Sequence, residues 1–179
     1  MMNKLILGLT FLVHMTISDA IIFDFTKTSD ISSWRIVDDG VMGGRSKGTF
    51  SKNPDGSAVF SGKVSLDNYG GFSSVQYSFQ KKEISSYTRV VLRIKGDGKK
   101  YQFRIKEKST DAHSYIGTFQ TTSDWQTVTI PMNEMYPAYR GRTLQIGNLK
   151  SNKIEQVAFL IANKVAEQFK LEIAVISLR

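Results

Sequence analysis

The sequence predicts an all-β fold, a sandwich or jelly roll of short strands. Three observations predict it. Apolar and polar residues alternate with a period of two over much of the chain, glycine-rich turns separate the alternating runs, and no window of twelve residues carries a convincing helical period. The clearest run is 89–95, where Val90, Leu92 and Ile94 share one face and Arg89, Arg93 and Lys95 take the other. After Gly96-Asp97-Gly98-Lys99 the pattern resumes, with Tyr101, Phe103 and Ile105 inward and Gln102, Arg104 and Lys106 outward. An Asp-Gly turn between two such runs is a hairpin signal. The expectation is therefore a β-hairpin with Arg93, Lys95, Arg104 and Lys106 gathered on one basic face.

Other runs read the same way. Val75, Tyr77 and Phe79 fall on one side of 74–79, and Trp125 to Ile130 alternates. Val157 to Ala162 is apolar on both faces, which predicts a strand buried between layers. Phe169, Leu171, Ile173 and Val175 share a face, but Ile176 and Leu178 fall on the opposite phase, which predicts a bulge near Val175. Lys47 to Ser51 reads as a strand, and 132–140 has room for one short helical turn.

Lys4, the mostly apolar stretch 5–17 and Ser18-Asp19-Ala20 have the layout of a secretory signal peptide. The expected organisation is a leader over 1–20 and one domain over 21–179, soluble after cleavage, without a stable membrane anchor, and periplasmic or extracellular. The chain has no cysteine, which excludes thiolate metal sites, dithiol redox chemistry and a cysteine nucleophile.

Its formal charge is +8, which favours anionic partners such as an acidic protein face or an acidic glycan. No nucleic-acid reading motif is present, so nucleic acid is not expected. The segment 89–108 holds eight Lys and Arg against two acids. Past the leader, His113 is the single histidine, in a polar loop, too little for a triad or a histidine metal site. No enzyme, metal or cofactor is expected. Asp38-Asp39-Gly40 offers oxygen ligands, but an acidic turn is the simpler reading.

Two glycine-rich loops stand out, Asp38-Asp39-Gly40-Val41-Met42-Gly43-Gly44-Arg45-Ser46 and Asn68-Tyr69-Gly70-Gly71-Phe72. A phosphate-binding loop would need a Lys-Ser/Thr end and a following helix, and here a strand follows. Gly43 and Gly71 are expected in turns with positive φ. The binding candidates are Asp38, Asp39, Arg45, Ser46, Asn68 and Tyr69 on the loops, Arg93 and Arg104 on the basic face, and Arg140 and Arg142 in Arg140-Gly141-Arg142. Trp34, Tyr69, Trp125, Tyr136 and Tyr139 are possible sugar platforms, with core packing expected for most of them.

These loops, with Trp34-Arg35-Ile36-Val37 before them, resemble the complex I intermediate-associated protein 30 family. Arg93-Ile94-Lys95-Gly96-Asp97-Gly98 and Trp125-Gln126-Thr127-Val128-Thr129-Ile130-Pro131 extend the resemblance, which runs over nearly the whole of 21–179. It implies a galactose-binding-like jelly roll without catalysis, and a chaperone-like role in assembling a protein complex. The leader departs from import into a mitochondrial matrix. The expected function is thus an exported protein-binding or assembly factor, with an extracytoplasmic carbohydrate-binding module as the alternative.

Overall fold

A computed structural model describes residues 19–179, and all but Asp19 and Ala20 of the leader expected over 1–20 lies outside the described residues. Two antiparallel sheets face each other across one core. In the first, here sheet A, the strands lie in the order β3 (Lys47–Lys52), β4 (Ala58–Val64), β13 (Glu167–Leu178), β6 (Arg89–Lys95) and β9 (Gln126–Pro131), with β1 (Ala20–Asp24) also pairing with β13. Sheet B runs β11 (Arg142–Thr143), β10 (Tyr136–Tyr139), β8 (Ser114–Gln120), β7 (Lys100–Lys106), β12 (Lys153–Ile161), β5 (Ser73–Glu83) and β2 (Trp34–Asp38). The galactose-binding-like sandwich expected from the sequence is the fold.

Alternation decides which side chains enter the core. Val90, Leu92, Ile94, Tyr101, Phe103 and Ile105 are all fully buried there. The switch of phase in β13 is also present. Its register against β6 shifts between Ile173 and Val175, so that Ile173 and Ile176 both reach the core. Without that extra residue, Ile176 and Leu178 would face solvent.

The expected hairpin is a correction. β6 and β7 do not pair. β6 bonds to β13 and β9 in sheet A, whereas β7 bonds to β12 and β8 in sheet B. The Asp97-Gly98 turn crosses from one sheet to the other. Asp97 holds the crossing: its carboxylate accepts from Tyr101 Oη at 3.1 Å, Lys99 Nζ at 2.9 Å and the Lys170 backbone N–H of β13 at 2.9 Å. Burial and the Asp97 charge push the Tyr101 phenol well above its ordinary range, so it stays a donor. Alternation fixes the face of each strand but not its neighbour, and both strands give their apolar face to the same core.

β12 is buried on both faces, as its apolar run predicts, but a second covering layer is not what buries the outer one. No third layer lies over sheet B among the described residues. Ala158 and Leu160 point outward, yet are only 4% and 5% exposed. Ala158 is registered between Gln76 and Arg104, and Leu160 between Ser74 and Gln102. Flanking side chains close over these positions.

A short 3-10 turn, Met132–Glu134, stands where the sequence left room for one. At the other end of the chain, Ala20 pairs with Leu178, and Asp19 forms an ion pair with Arg179 at 2.8 Å. Both contacts lie on the N-terminal side of Ile21.

Candidate functional site

The two glycine loops close on one carboxylate. Asp39 is 0% exposed and opens a 3-10 turn, Asp39–Met42, after β2. Its Oδ1 accepts the Ser46 backbone N–H at 2.9 Å. Its Oδ2 accepts the Ser46 hydroxyl at 2.5 Å and the backbone N–H groups of Gly71 at 2.6 Å and Phe72 at 3.2 Å. Burial alone would raise the pKa of this carboxyl. The donors from Ser46, Gly71 and Phe72 outweigh that and hold it below the usual carboxylate range. Asp38 works beside it, taking the Gly48 N–H at 2.9 Å and the Ser73 hydroxyl at 2.6 Å. The Ser46 hydroxyl also accepts the Ser65 N–H at 3.0 Å. Gly43 and Gly71 have φ of 89° and 140°, as expected of these turns.

Asp38, Asp39 and Ser46 therefore lock the chain to itself. Their polar atoms are spent on backbone and hydroxyl donors, an arrangement that fits an acidic turn and not a cation site. The other loop candidates face outward. Asn68 ties the second loop to the first through Nδ2 to the Gly43 carbonyl at 3.1 Å. Arg45 is exposed, and Tyr69, at φ 60°, is 99% exposed.

The basic candidates divide between the two outer faces. Arg93 lies on sheet A, exposed, with Nη1 donating to the Trp125 carbonyl at 3.1 Å and its guanidinium 5.8 Å from the Trp125 ring centre. Nearby, Glu172 answers Lys170 at 2.9 Å and Lys95 at 3.9 Å. Arg104 lies on the opposite face, in sheet B. The single basic face expected of a hairpin does not form. Arg140 and Arg142 are exposed at the β10–β11 edge of sheet B, Arg140 stacked on Tyr139 with 5.4 Å to the ring centre.

The sheet B face is built by register. Arg35, Gln76, Ala158, Arg104, Ile116 and Tyr136 form one row across six strands. Arg104 is half-buried in this row, and its Nε and Nη2 donate to Gln102 Oε1 at 2.9 and 2.6 Å. Burial lowers its pKa, and the nearby Tyr136 phenol works in the opposite sense. An arginine still stays charged under such conditions. Lys106, lowered mainly by burial, donates to the Asp111 carbonyl at 2.7 Å. A groove of about 260 Å³ adjoins the row, lined by Lys100, Gln102, Thr118, Tyr136, Ala162, Asn163 and Lys164. Neither this groove nor a larger cavity of about 540 Å³, at the ends of β6 and β9, is lined by any of the ten candidates.

Sequence reasoning missed Gln102, Lys100 and Lys164. Gln102 carries the outward signal in its alternation, whereas Lys164, in a loop at φ 61°, carries none. Of the aromatic candidates, Trp34 alone is core, packed against Phe23, Phe25, Phe50 and Tyr77. Trp125, Tyr136 and Tyr139 remain at least partly exposed, so core packing claims fewer of them than expected.

The profile of the family Complex I intermediate-associated protein 30 matches residues 23–173, nearly the whole sandwich. The chain belongs to this family. The mouse mitochondrial complex I intermediate-associated protein 30 is 26% identical over 181 residues, covering 86% of this chain and 54% of the mouse protein. The chain thus spans about half the length of that relative. An uncharacterized Schizosaccharomyces pombe protein is 32% identical over 148 residues, covering 72% of this chain and 68% of its own length. Among solved structures, the family 11 carbohydrate-binding module of a Clostridium thermocellum cellulosomal cellulase superposes with a TM-score of 0.71. It is 19% identical, over 91% of this chain and 95% of the module. An agarase superposes with a TM-score of 0.61 at 10% identity, over 90% of this chain and 24% of the enzyme. These likenesses establish the sandwich.

Proposed function

We propose that this family member is a non-catalytic, exported binding module that engages a protein partner through the outer face of sheet B, as an assembly or chaperone-like factor. One observation carries the reading: among the described residues no further layer covers the outer face of sheet B, and Arg104 on that face is half-buried and forms no ion pair. Such a surface is complementary to acidic groups of a partner. Sheet A, with Glu172 between Lys95 and Lys170, supplies its own counter-charge. The name of the mouse relative, an intermediate-associated protein, supports a protein partner. The Lys4, 5–17 and Ser18-Asp19-Ala20 pattern supports export, with Ile21 as the first mature residue. Cleavage there removes the Ala20–Leu178 pairing, with the packing of Ala20 against the core, and the Asp19–Arg179 ion pair.

A carbohydrate ligand is the second reading. The groove beside Tyr136, with Gln102, Asn163 and Lys164 around it, favours it, because sugar sites combine an aromatic ring with polar side chains. Capture from extract by the mature chain, run beside a glycan array, separates the two. The protein reading expects a partner whose capture is unchanged by Arg93→Gln, weakened about tenfold by Arg104→Gln, and seen again in the reciprocal capture. Array binding that depends on Tyr136, with no such protein partner, overturns it.

A further inference from the structure

Arg104 is a half-buried charged side chain whose guanidinium is only partly hydrogen-bonded among the described residues. Guanidinium has five N–H donors and two edges able to grip a carboxylate, one formed by Nε with a terminal nitrogen and one by the two terminal nitrogens. In Arg104 the first edge is occupied, because Nε and Nη2 both point at Gln102 Oε1. The second edge, Nη1 with the remaining Nη2 hydrogen, has no partner among the described residues. No ion pair within them involves Arg104. Nor are these donors sealed in: the single fully enclosed side-chain polar atom left without a partner among the described residues is Trp34 Nε1.

Half-burying a guanidinium has a desolvation cost, and an apolar side chain of similar volume would fill the position without it. Its neighbours give it no counter-charge. Ala158 and Ile116 flank it in register, and Lys106 turns to the Asp111 carbonyl. Gln102 is neutral and holds one edge of the guanidinium, which leaves the other edge without a partner among the described residues.

We propose that Arg104 is an oxyanion subsite, positioned by Gln102, that takes the carboxylate of an aspartate or glutamate side chain on a protein partner. This rests on the reading of the sheet B face as the binding surface. Carboxylates also occur on acidic glycans, but the row holds one aromatic ring, Tyr136, and small or aliphatic side chains flank Arg104. Protruding side chains of a protein fit such a floor better than a sugar ring does, since a sugar needs a flat platform.

The full chain, labelled for observation of arginine Nε–Hε resonances, is titrated at low salt with acetylated hexaglutamate, hexaglutamine and trigalacturonate. Hexaglutamate is expected to shift the Arg104 resonance saturably, and hexaglutamine to leave it in place. Arg104→Gln should weaken hexaglutamate binding about tenfold. Arg104→Lys, which keeps the charge but lacks the fork, should weaken it severalfold, and Arg93→Gln should leave it unchanged. Equal weakening by Arg93→Gln, or no change with Arg104→Lys, overturns the subsite. Tighter Arg104-dependent binding of trigalacturonate overturns the protein assignment. If hexaglutamate leaves Arg104 unmoved while Arg104→Gln still weakens partner capture, the subsite chemistry is wrong and the face reading stands. If capture survives both Arg104→Gln and Ala158→Trp, the face reading itself falls.

Discussion

Asp39 and Arg104 are both charged side chains drawn out of bulk water, and the chain treats them in opposite ways. Asp39 receives four donors from its own chain, from Ser46, Gly71 and Phe72. Arg104 receives one neutral acceptor, Gln102, and keeps its other edge without a partner among the described residues. A buried charge whose partners all come from its own chain stabilises the fold. One left short of partners on an accessible surface is available to something else. Both were candidate binding residues on sequence grounds, and satisfaction of their polar atoms is what separates them.

The largest expected effect is on the saturated side. Asp39→Ala leaves Ser46, Gly71 and Phe72 without their acceptor in a buried site, which should cost about 3 kcal/mol. For a domain of this size that lowers the melting temperature by roughly 6–12 °C. A melt within 2 °C or so of the parent would show that the two glycine loops do not depend on this carboxylate.

The same residue gives a pH dependence of defined sign. Its folded pKa is depressed, so the unfolded chain binds the proton more tightly. The stability it contributes is complete above the ordinary aspartate range. It is lost as pH falls through about 4 and below. Denaturant midpoints of the parent should therefore drop on acidification by more than those of Asp39→Asn. Parallel curves for the two proteins from about pH 7 to about pH 3 would remove Asp39 from the account.

On the unsatisfied side the effect moves from stability to binding. Arg104→Gln should reduce partner capture about tenfold, or about 1.4 kcal/mol, with little change in melting temperature. A large loss of stability without loss of capture would make Arg104 a structural residue like Asp39. Smallest of all is Arg93→Gln. An exposed charge contributes little, so its stability should stay within about 0.5 kcal/mol of the parent and its capture should not change.

How much of this was legible in the sequence depends on whether the signal is local. Facing is local: the core side of 89–95 and of 100–106, and the change of phase after Ile173, follow from alternation in consecutive residues. The glycine loops also show locally, because positive φ restricts residue choice at Gly43 and Gly71. Sheet partnership is non-local. Nothing in 89–106 states that β13 and β12 will take the edges on which a hairpin would have formed, so Arg93 and Arg104 seemed to share a surface. The apolar outer face of β12 resembled burial between layers because Ala158 and Leu160 are shielded by side chains from β5 and β7, far away in the sequence. Tyr136 and Lys164 join the groove only once β10 and the β12–β13 loop are placed.

The central claim is that the working surface is the outer face of sheet B. Lysine acylation of the chain, free and bound to its captured partner, with sites read by mass spectrometry, tests it most directly. Lys100 and Lys164 mark the sheet B groove, while Lys63 and Lys170 are exposed on the outer face of sheet A. The account predicts that the partner shields Lys100 and Lys164 and leaves Lys63 and Lys170 reactive. Shielding of Lys63 and Lys170 with Lys100 and Lys164 still reactive would contradict it.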